Sequence, residues 1–199
     1  SVFCDWLARN GASSLAMTTR RKEANAKTAD QLEELRKQGS EVRVFSAEAS
    51  DALQMRAVVN WLRVCVPSPL KGVMHLAGVL DDGMLADQTW SKFERVYSPK
   101  VKGSWILHEL TRDVSLDWMV LFSSSSSFLG SPGQINYAAA NAFLDGMAAH
   151  RVMQGMPTLS VQWAAWESVG MAANEQTKKG LAAFGFSYVT QDSGVKALQ

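Results

Sequence analysis

The sequence predicts an α/β protein with a doubly wound parallel sheet of the Rossmann type. First, apolar runs of strand length alternate with helical stretches, which is typical of a parallel sheet covered on both faces. Second, Gly11 and Gly39 each follow a predicted helix, where helices commonly end. Third, the serines of Ser123–Ser127 directly follow an apolar run. Right-handed crossovers then give the doubly wound architecture, with function expected at the carboxyl ends of the strands.

Apolar periodicity assigns the elements in chain order. Val2–Asn10 is predicted to be an amphipathic helix, because its apolar side chains cluster on one face. Residues Gly170–Gln199 are predicted to form loop and short helices. Strands are predicted at Ser14–Thr18, Val42–Ser46, Gly72–Leu76, Trp118–Ser123 and Thr158–Trp163, and further helices at Thr28–Gln38, Ala52–Val64, Leu85–Tyr97, Val101–Thr111 and Asn136–Gln154.

Length and composition predict one globular domain over residues 1–199, with a core of its own. A hydrophobic content of 47% and a net charge of +1 favour neither disorder, nor a nucleic-acid partner, nor a membrane surface. The chain lacks an apolar run of membrane length and a signal peptide, so a cytoplasmic location is expected. Cys4 and Cys65 have neither metal-ligand nor redox spacing, so no metal is predicted.

Tyr137 and Asn141 lie one turn apart at the start of the alanine-rich helix. A tyrosine can protonate a carbonyl oxygen that receives a hydride, but its ordinary pKa of about 10 is too high for efficient work at pH 7. Lys100, before the helix Val101–Thr111, can supply the positive charge that lowers this pKa. Alone, Lys100 would be a solvated surface charge and Ser123–Ser127 a polar strand-to-loop transition; together with Tyr137 they favour a catalytic site.

Five segments are specific to one family when their order and spacing are taken together. They are Trp6–Ala12, His75–Asp82, Pro99–Gly103, Gly133–Asn141 and Trp163–Ala172. These segments resemble the ketoreductase domains of modular polyketide synthases and animal-type fatty acid synthases, within the short-chain dehydrogenase/reductase superfamily. Most short-chain reductases place the active lysine four residues after the tyrosine. Here Asn141 has that place and Lys100 lies upstream, which is the exchanged arrangement of the synthase domains.

The resemblance implies a role for each residue of the predicted catalytic site. Tyr137 would be the proton donor and Ser124 a hydrogen-bond donor to the substrate carbonyl, with Ser123 as its nearest rival. Lys100 would tune the pKa of Tyr137, and Asn141 would orient the site.

On the cofactor side, the resemblance implies NADPH. Arg20 matches the arginine that accepts the 2′-phosphate, and Glu48 aligns with an aspartate that contacts the adenine amine. Ala77 and Gly78 would approach the ribose. The glycine-rich turn that cradles the pyrophosphate should lie before Ser1, so we expect these residues to lack the central first strand and not to form an autonomous enzyme.

Leu80, Asp81 and Asp82 match a triplet that, by resemblance, marks ketoreductases giving a D-configured β-hydroxyl. The opposite class carries a tryptophan eight residues before the tyrosine, where this chain has Leu129. A plainer interpretation of Asp81 and Asp82 is a turn followed by a helix N-cap.

The resemblance further implies a β-ketoacyl substrate held as a thioester on the phosphopantetheine arm of an acyl carrier protein. That carrier and other synthase domains would be the partners, and residues 167–199 would form a lid over the substrate entrance and a C-terminal segment, with Phe184, Phe186 and Tyr188 as wall residues. Two alternatives stay open, a non-catalytic ketoreductase-like subdomain and a stand-alone short-chain dehydrogenase. The sequence does not choose between a polyketide and a fatty acid parent, and it does not define the acyl chain.

Overall fold

A computed structural model describes residues 2–20, 26–66, 68–167 and 187–199. Within these ranges helices and strands alternate as predicted, and each predicted strand is confirmed to within one residue at either end. The strands are β1 (Ser14–Thr19), β2 (Glu41–Ser46), β3 (Gly72–His75), β4 (Trp118–Ser124) and β5 (Thr158–Trp163). The helices are α1 (Val2–Arg9), α2 (Ala26–Lys37), α3 (Ala52–Cys65), α4 (Trp90–Tyr97), α5 (Gly103–Thr111), α6 (Ser126–Leu129), α7 (Ile135–Met153) and α8 (Gln191–Lys196).

All strand pairs are parallel, which confirms the predicted α/β class. β1 pairs with β2, placing Leu15 opposite Val42. β4 pairs with β3 on one side and with β5 on the other, placing Leu121 between His75 and Ser160. The strands therefore form two parallel sheets, with the orders β1-β2 and β3-β4-β5.

The break between the two sheets falls where the doubly wound order requires its central strand. In the part of the chain that the structure describes, no strand lies between β1 and β3. This is the gap that the sequence predicts from the lack of a glycine-rich turn.

Helix α3 connects the two halves through the main core. Met55 and Val58 of α3 belong to the same buried cluster as Met119 and Leu121 of β4. Burial of each such side chain stabilises the fold by roughly 1.5–3 kcal/mol. A smaller cluster under β1 and β2 contains Ala8, Leu32, Leu35 and Val42. Among the described helices none is long and apolar enough to cross a membrane.

The predicted helix Leu85–Tyr97 is wrong at its start. Leu85–Asp87 is a single 3₁₀ turn, and the α-helix begins only after Thr89, whose hydroxyl accepts a hydrogen bond from the Lys92 amide. An N-cap threonine of this kind sets the start of the helix. The predicted break before α5 is also wrong, because a π-helical turn, Ser98–Lys102, joins α4 to α5 directly.

Candidate active site

The π-helical turn positions Lys100 at the carboxyl edge of the three-stranded sheet. Its side chain is 3% exposed, and its Nζ donates a hydrogen bond of 2.8 Å to the carbonyl of Phe122. The same Nζ lies 5.4 Å from the centre of the Tyr137 ring. Burial lowers the pKa of Lys100 to about 8, against an opposing effect of the Asp145 charge. Single π-turns are frequent at functional sites, and this one brings a buried amine beside Tyr137.

His75, the last residue of β3, is hydrogen-bonded to the π-helical turn. Its ring is 4% exposed, and Nε2 lies 3.0 Å from the carbonyl of Pro99. Burial, reinforced by the charge of Lys100, lowers the pKa of His75 to about 4. The ring is therefore neutral at pH 7, and Nε2 carries the proton because a carbonyl oxygen can only accept. The sequence analysis gave His75 no role of its own, although a histidine ending an apolar strand is a usable signal.

The first two serines of Ser123–Ser127 have different environments. Ser123 is buried, and its hydroxyl donates to the backbone carbonyl of Asn141 at 3.2 Å. Ser124 is half-buried at the end of β4, and its Oγ accepts a hydrogen bond from the Ser126 amide. The Ser124 hydroxyl also interacts with the Tyr137 hydroxyl. Ser124, rather than Ser123, is thus the serine that faces Tyr137.

Tyr137 and Asn141 lie in the first turns of α7. The Asn141 amide donates to the Tyr137 carbonyl at 2.8 Å, and its Oδ1 is buried without a hydrogen-bond partner among the described residues. Burial raises the pKa of Tyr137, while hydrogen bonds from Asn141 and Ser124 act against this rise. The expected lowering of this pKa by Lys100 stays a prediction; the Lys100 Nζ lies 5.4 Å from the centre of the Tyr137 ring and donates to the Phe122 carbonyl.

The loop that contains Leu80, Asp81 and Asp82 is tied to the start of α7. The carboxylate of Asp82 accepts from Gln134 Nε2 at 2.9 Å, and the Asp81 carbonyl accepts from Asn136 Nδ2 at 2.8 Å. The Asp81 carboxylate also forms an ion pair with Arg95 at 3.0 Å.

The expected N-cap role of Asp81 and Asp82 is wrong. Met84 precedes the 3₁₀ turn without a side-chain cap, and Thr89 caps α4. Asp82 and Asp81 instead accept hydrogen bonds from Gln134 and Asn136, which come just before Tyr137. Asp81 also pairs with Arg95 of α4.

The predicted cofactor residues follow the carboxyl ends of three strands. Arg20 follows β1 and Glu48 follows β2, with 3.6 Å between Arg20 Nε and Glu48 Oε2. The Arg20 side chain is 63% exposed, so its guanidinium is accessible to a phosphate. Ala77 and Gly78 follow β3 in non-helical backbone. The carboxyl ends of the strands are where a doubly wound fold binds a dinucleotide, so the positions of these residues are compatible with such a cofactor.

The sequence analysis missed Asp145, on the same face of α7 as Tyr137 and Asn141. Its carboxylate accepts from the hydroxyls of Ser127 and Ser160, at 2.6 Å each, and from the Gln162 amide at 2.8 Å. The sequence did contain a signal for it, because Asn141 and Asp145 follow Tyr137 by four and eight residues, a spacing that places all three on one face of a helix.

The predicted lid is described only in part. Residues 168–186, with Phe184 and Phe186, lie outside the described residues. Tyr188 is half-buried, and Val189 forms a parallel bridge with Trp166.

A lysine, a serine, a tyrosine and an asparagine come together at the carboxyl edge of a parallel sheet, in a fold of the short-chain dehydrogenase/reductase class. The model of the KR domain family matches residues 1–168. The chain therefore belongs to the ketoreductase domain family found in type I polyketide synthases.

Curated relatives of the chain are polyketide synthases. It is 44% identical over 179 residues to the spectinabilin polyketide synthase system protein NorB of Streptomyces orinoci, covering 88% of this chain and 8% of that protein. It is 37% identical over 193 residues to the mycoketide-CoA synthase of Mycobacterium tuberculosis, covering 97% of this chain and 5% of that protein. The chain thus spans a small part of the length of these relatives.

Solved ketoreductases have the same fold. A structure of A-type ketoreductases from a modular polyketide synthase superposes with a TM-score of 0.93 at 36% identity, covering 98% of this chain and 41% of that one. A C2-type ketoreductase superposes with a TM-score of 0.86 at 28% identity, covering 99% and 42%. Because differently typed ketoreductases share the fold, the fold alone does not define the stereochemical type.

Proposed function

We propose that this chain carries the catalytic residues of an NADPH-dependent β-ketoacyl reductase. The substrate is a β-ketoacyl thioester on an acyl carrier protein, and the product is the β-hydroxyacyl thioester. The observation that carries this proposal is the buried Lys100, held by the Phe122 carbonyl over the ring of Tyr137, with Ser124 facing the same tyrosine. Burying an amine costs free energy, so such a lysine indicates a functional site.

The four polar residues of the site have different roles in the protonation of the substrate carbonyl oxygen. When bound, NADPH supplies a hydride to the carbonyl carbon. The raised pKa keeps Tyr137 protonated at neutral pH, so its hydroxyl holds the proton that the carbonyl oxygen takes up. Ser124 donates a hydrogen bond to that oxygen, and the Lys100 ammonium stabilises the phenolate that forms as the proton leaves. Asn141 supports Tyr137 and offers its free Oδ1 to a water or a ligand hydroxyl.

The preference for NADPH rests on Arg20. Its exposed guanidinium follows β1, where a doubly wound fold presents a residue to the 2′ position of the adenosine ribose. Guanidinium groups bind phosphate through paired, charge-assisted hydrogen bonds. The ion pair with Glu48 is exposed and long, so it competes weakly with a phosphate.

The D-configured product rests on Leu80, Asp81 and Asp82 and on Leu129 in place of a tryptophan. The hydrogen bonds that Gln134 and Asn136 donate to this loop support a role in substrate orientation, because they fix the loop relative to Tyr137. The acyl carrier protein and neighbouring synthase domains are the proposed partners, in keeping with relatives that are multidomain synthases.

The gap in the sheet favours a restricted form of the proposal, in which residues 1–199 alone are inactive. The test uses an extended enzyme, in which the strand and glycine-rich turn that the family places before Ser1 precede residues 1–199. NADPH oxidation with a β-ketoacyl thioester surrogate is measured in this enzyme and in Tyr137→Phe. Tyr97→Phe serves as a matched control, because Tyr97 packs against aromatic side chains of α4.

We expect turnover that Tyr137→Phe abolishes and Tyr97→Phe retains. An extended enzyme that folds and binds NADPH but shows no turnover would favour the non-catalytic subdomain.

A further inference from the structure

Asp145 connects three elements that meet behind the catalytic residues. It lies on α7, two turns after Tyr137 and one turn after Asn141. Its Oδ1 accepts from the Ser160 hydroxyl of β5, and its Oδ2 accepts from the Ser127 hydroxyl and from Gln162 Nε2. Three hydrogen bonds to one half-buried carboxylate make a rigid, charge-assisted connection.

The serine turn, defined as Ser124–Ser127, is fixed to α7 at both ends by this arrangement. Before the turn, the Ser123 hydroxyl donates to the Asn141 carbonyl. At its end, the Ser127 hydroxyl donates to Asp145. Ser124 therefore projects from a turn whose distance from the Tyr137 helix is set by two hydrogen bonds.

The carboxylate of Asp145 is ionised at neutral pH. Burial alone would raise its pKa, but the hydrogen bonds that Ser127, Ser160 and Gln162 donate outweigh that effect and lower the pKa. Its negative charge therefore acts on groups nearby in the partly buried region behind the sheet edge.

Lys100 is the cation that this charge affects. The groups around Lys100 come from three elements: neutral His75 on β3, the Phe122 carbonyl on β4 and the Tyr137 ring on α7. Asp145, two turns after Tyr137 on the same helix, supplies a negative charge that opposes the effect of burial on the pKa of Lys100.

We propose that Asp145 is a positioning residue of the active site, whose carboxylate fixes the serine turn that presents Ser124 and supplies the negative charge of the cluster that holds Lys100. This inference rests on the proposed function for its catalytic meaning, whereas the effect on Lys100 is a property of the folded chain.

Two variants of the extended enzyme separate the two effects. Asp145→Asn keeps the shape of the side chain and removes its charge. Ser127→Ala keeps the charge and frees the serine turn. Asp117→Asn is the matched control, because Asp117 is an exposed carboxylate paired with Lys71 before β4.

The first measurement is the pH dependence of kcat. In Asp145→Asn the alkaline limb moves to lower pH by about one unit, because Lys100 loses its proton more easily. In Ser127→Ala kcat falls by roughly fivefold, as expected for the loss of about 1 kcal/mol of hydrogen bonding, and the limb stays in place. Asp117→Asn has the kcat of the parent and the same alkaline limb. Asp145→Glu, which keeps the negative charge, has its alkaline limb at the pH of the parent.

The second measurement does not require turnover. Lysine side chains labelled with ¹³C are titrated by NMR, and the Lys100 signal is assigned by its loss in Lys100→Arg. The pKa of Lys100 is about 8 in the parent, lower in Asp145→Asn and unchanged in Ser127→Ala. If Asp145→Asn does not fold, the comparison uses Ser127→Ala with Ser160→Ala, which removes two of the three hydrogen bonds to the carboxylate, so that the carboxylate loses its orientation and the pKa of Lys100 falls.

If the pKa of Lys100 is unchanged in Asp145→Asn, or in Ser127→Ala with Ser160→Ala, the proposed electrostatic effect of Asp145 on Lys100 is overturned, whatever the values of kcat are. Wild-type kcat in Ser127→Ala overturns the role of the serine turn. A shifted pKa in an extended enzyme that binds NADPH but shows no turnover counts against the proposed function, while the effect of Asp145 on Lys100 stands.

Discussion

Gln134 donates a hydrogen bond of 2.9 Å to the carboxylate of Asp82, joining the loop after β3 to the segment that begins α7. A backbone hydrogen bond of 2.9 Å from the Gly83 amide to the Gly133 carbonyl joins the same two segments. Gly133 adopts a positive φ of 74°, which L side chains rarely adopt, so the backbone conformation at this point favours glycine. The loop with Asp82 and the helix with Tyr137 are thus positioned as one unit.

Gln134→Ala tests whether this contact contributes to stereocontrol. Loss of one hydrogen bond to a carboxylate costs about 1 kcal/mol, so we expect the ratio of D to L product to fall roughly fivefold. Chiral chromatography of the β-hydroxy product from the extended enzyme measures the ratio. Gln154→Ala, at the far end of α7, is the control. An unchanged ratio in Gln134→Ala would mean that this contact does not affect the face of attack.

His75 makes stability depend on pH. Its pKa is about 4 in the folded chain and 6.5 in the unfolded chain, so the unfolded chain binds more protons between these values. The free energy of unfolding therefore falls as the pH decreases from 6.5 to 4, by up to about 3 kcal/mol. Urea unfolding of the extended enzyme at several pH values measures this slope.

His75→Gln, which retains a donor for the Pro99 carbonyl, should flatten the slope between pH 6.5 and 4 relative to the parent. His150→Gln is the control, because His150 lies near the exposed end of α7. Equal slopes in the parent and in His75→Gln would contradict the prediction.

The order of the elements was predictable from the sequence, since it depends on local pattern, whereas the gap in the sheet was expected from the resemblance to the ketoreductase family. β4 ends at Ser124, one residue beyond the predicted Ser123, and α7 begins at Ile135, one residue before the predicted Asn136, as apolar periodicity and alanine content indicate. The roles of the predicted site residues remain proposals.

Contacts between elements distant in sequence were not predictable in the same way. The π-helical turn at Lys100 makes its hydrogen bonds to His75 of β3 and Phe122 of β4, which are distant in sequence, and a single sequence gives no pattern for it. The connection of Asp145 to Ser160 and Gln162 joins a helix to a strand across the core, so spacing along the chain does not reveal it. The raised pKa of Tyr137 is a consequence of burial, which the sequence did not quantify.

Arg151 is 1% exposed near the end of α7, and its guanidinium contacts Thr158 Oγ1 at 2.8 Å and His108 Nδ1 at 3.0 Å. Arg151→Ala leaves a cavity and polar groups without partners, so we expect the free energy of unfolding to fall by about 3 kcal/mol. The exposed Arg112→Ala should change it by no more than about 0.5 kcal/mol. Urea denaturation measures both, and similar values for the two variants would be the contrary result.

Arg20 should distinguish NADPH from NADH. Removing a guanidinium that binds the 2′-phosphate costs about 1.5–3 kcal/mol, so we expect KM for NADPH to rise at least tenfold in Arg20→Ala of the extended enzyme. KM for NADH should change little, because NADH lacks that phosphate. Arg9→Ala, on the outer face of α1, controls for the loss of positive charge. Equal changes with both cofactors would count against phosphate recognition by Arg20.

The gap between β1 and β3 leads to the last prediction, on residues 1–199 alone. A missing central strand removes the hydrogen bonds that would join the two sheets, and the buried cluster around α3 must then hold them together. The pyrophosphate cradle of the fold would also lie at this gap. We therefore expect residues 1–199 to unfold in urea without a sharp cooperative transition and to bind NADPH weakly, as judged by cofactor fluorescence. The extended enzyme, measured in parallel, should show a single transition and tight binding. Cooperative unfolding together with tight NADPH binding by residues 1–199 would show that the two sheets and α3 suffice, and that the central strand is dispensable.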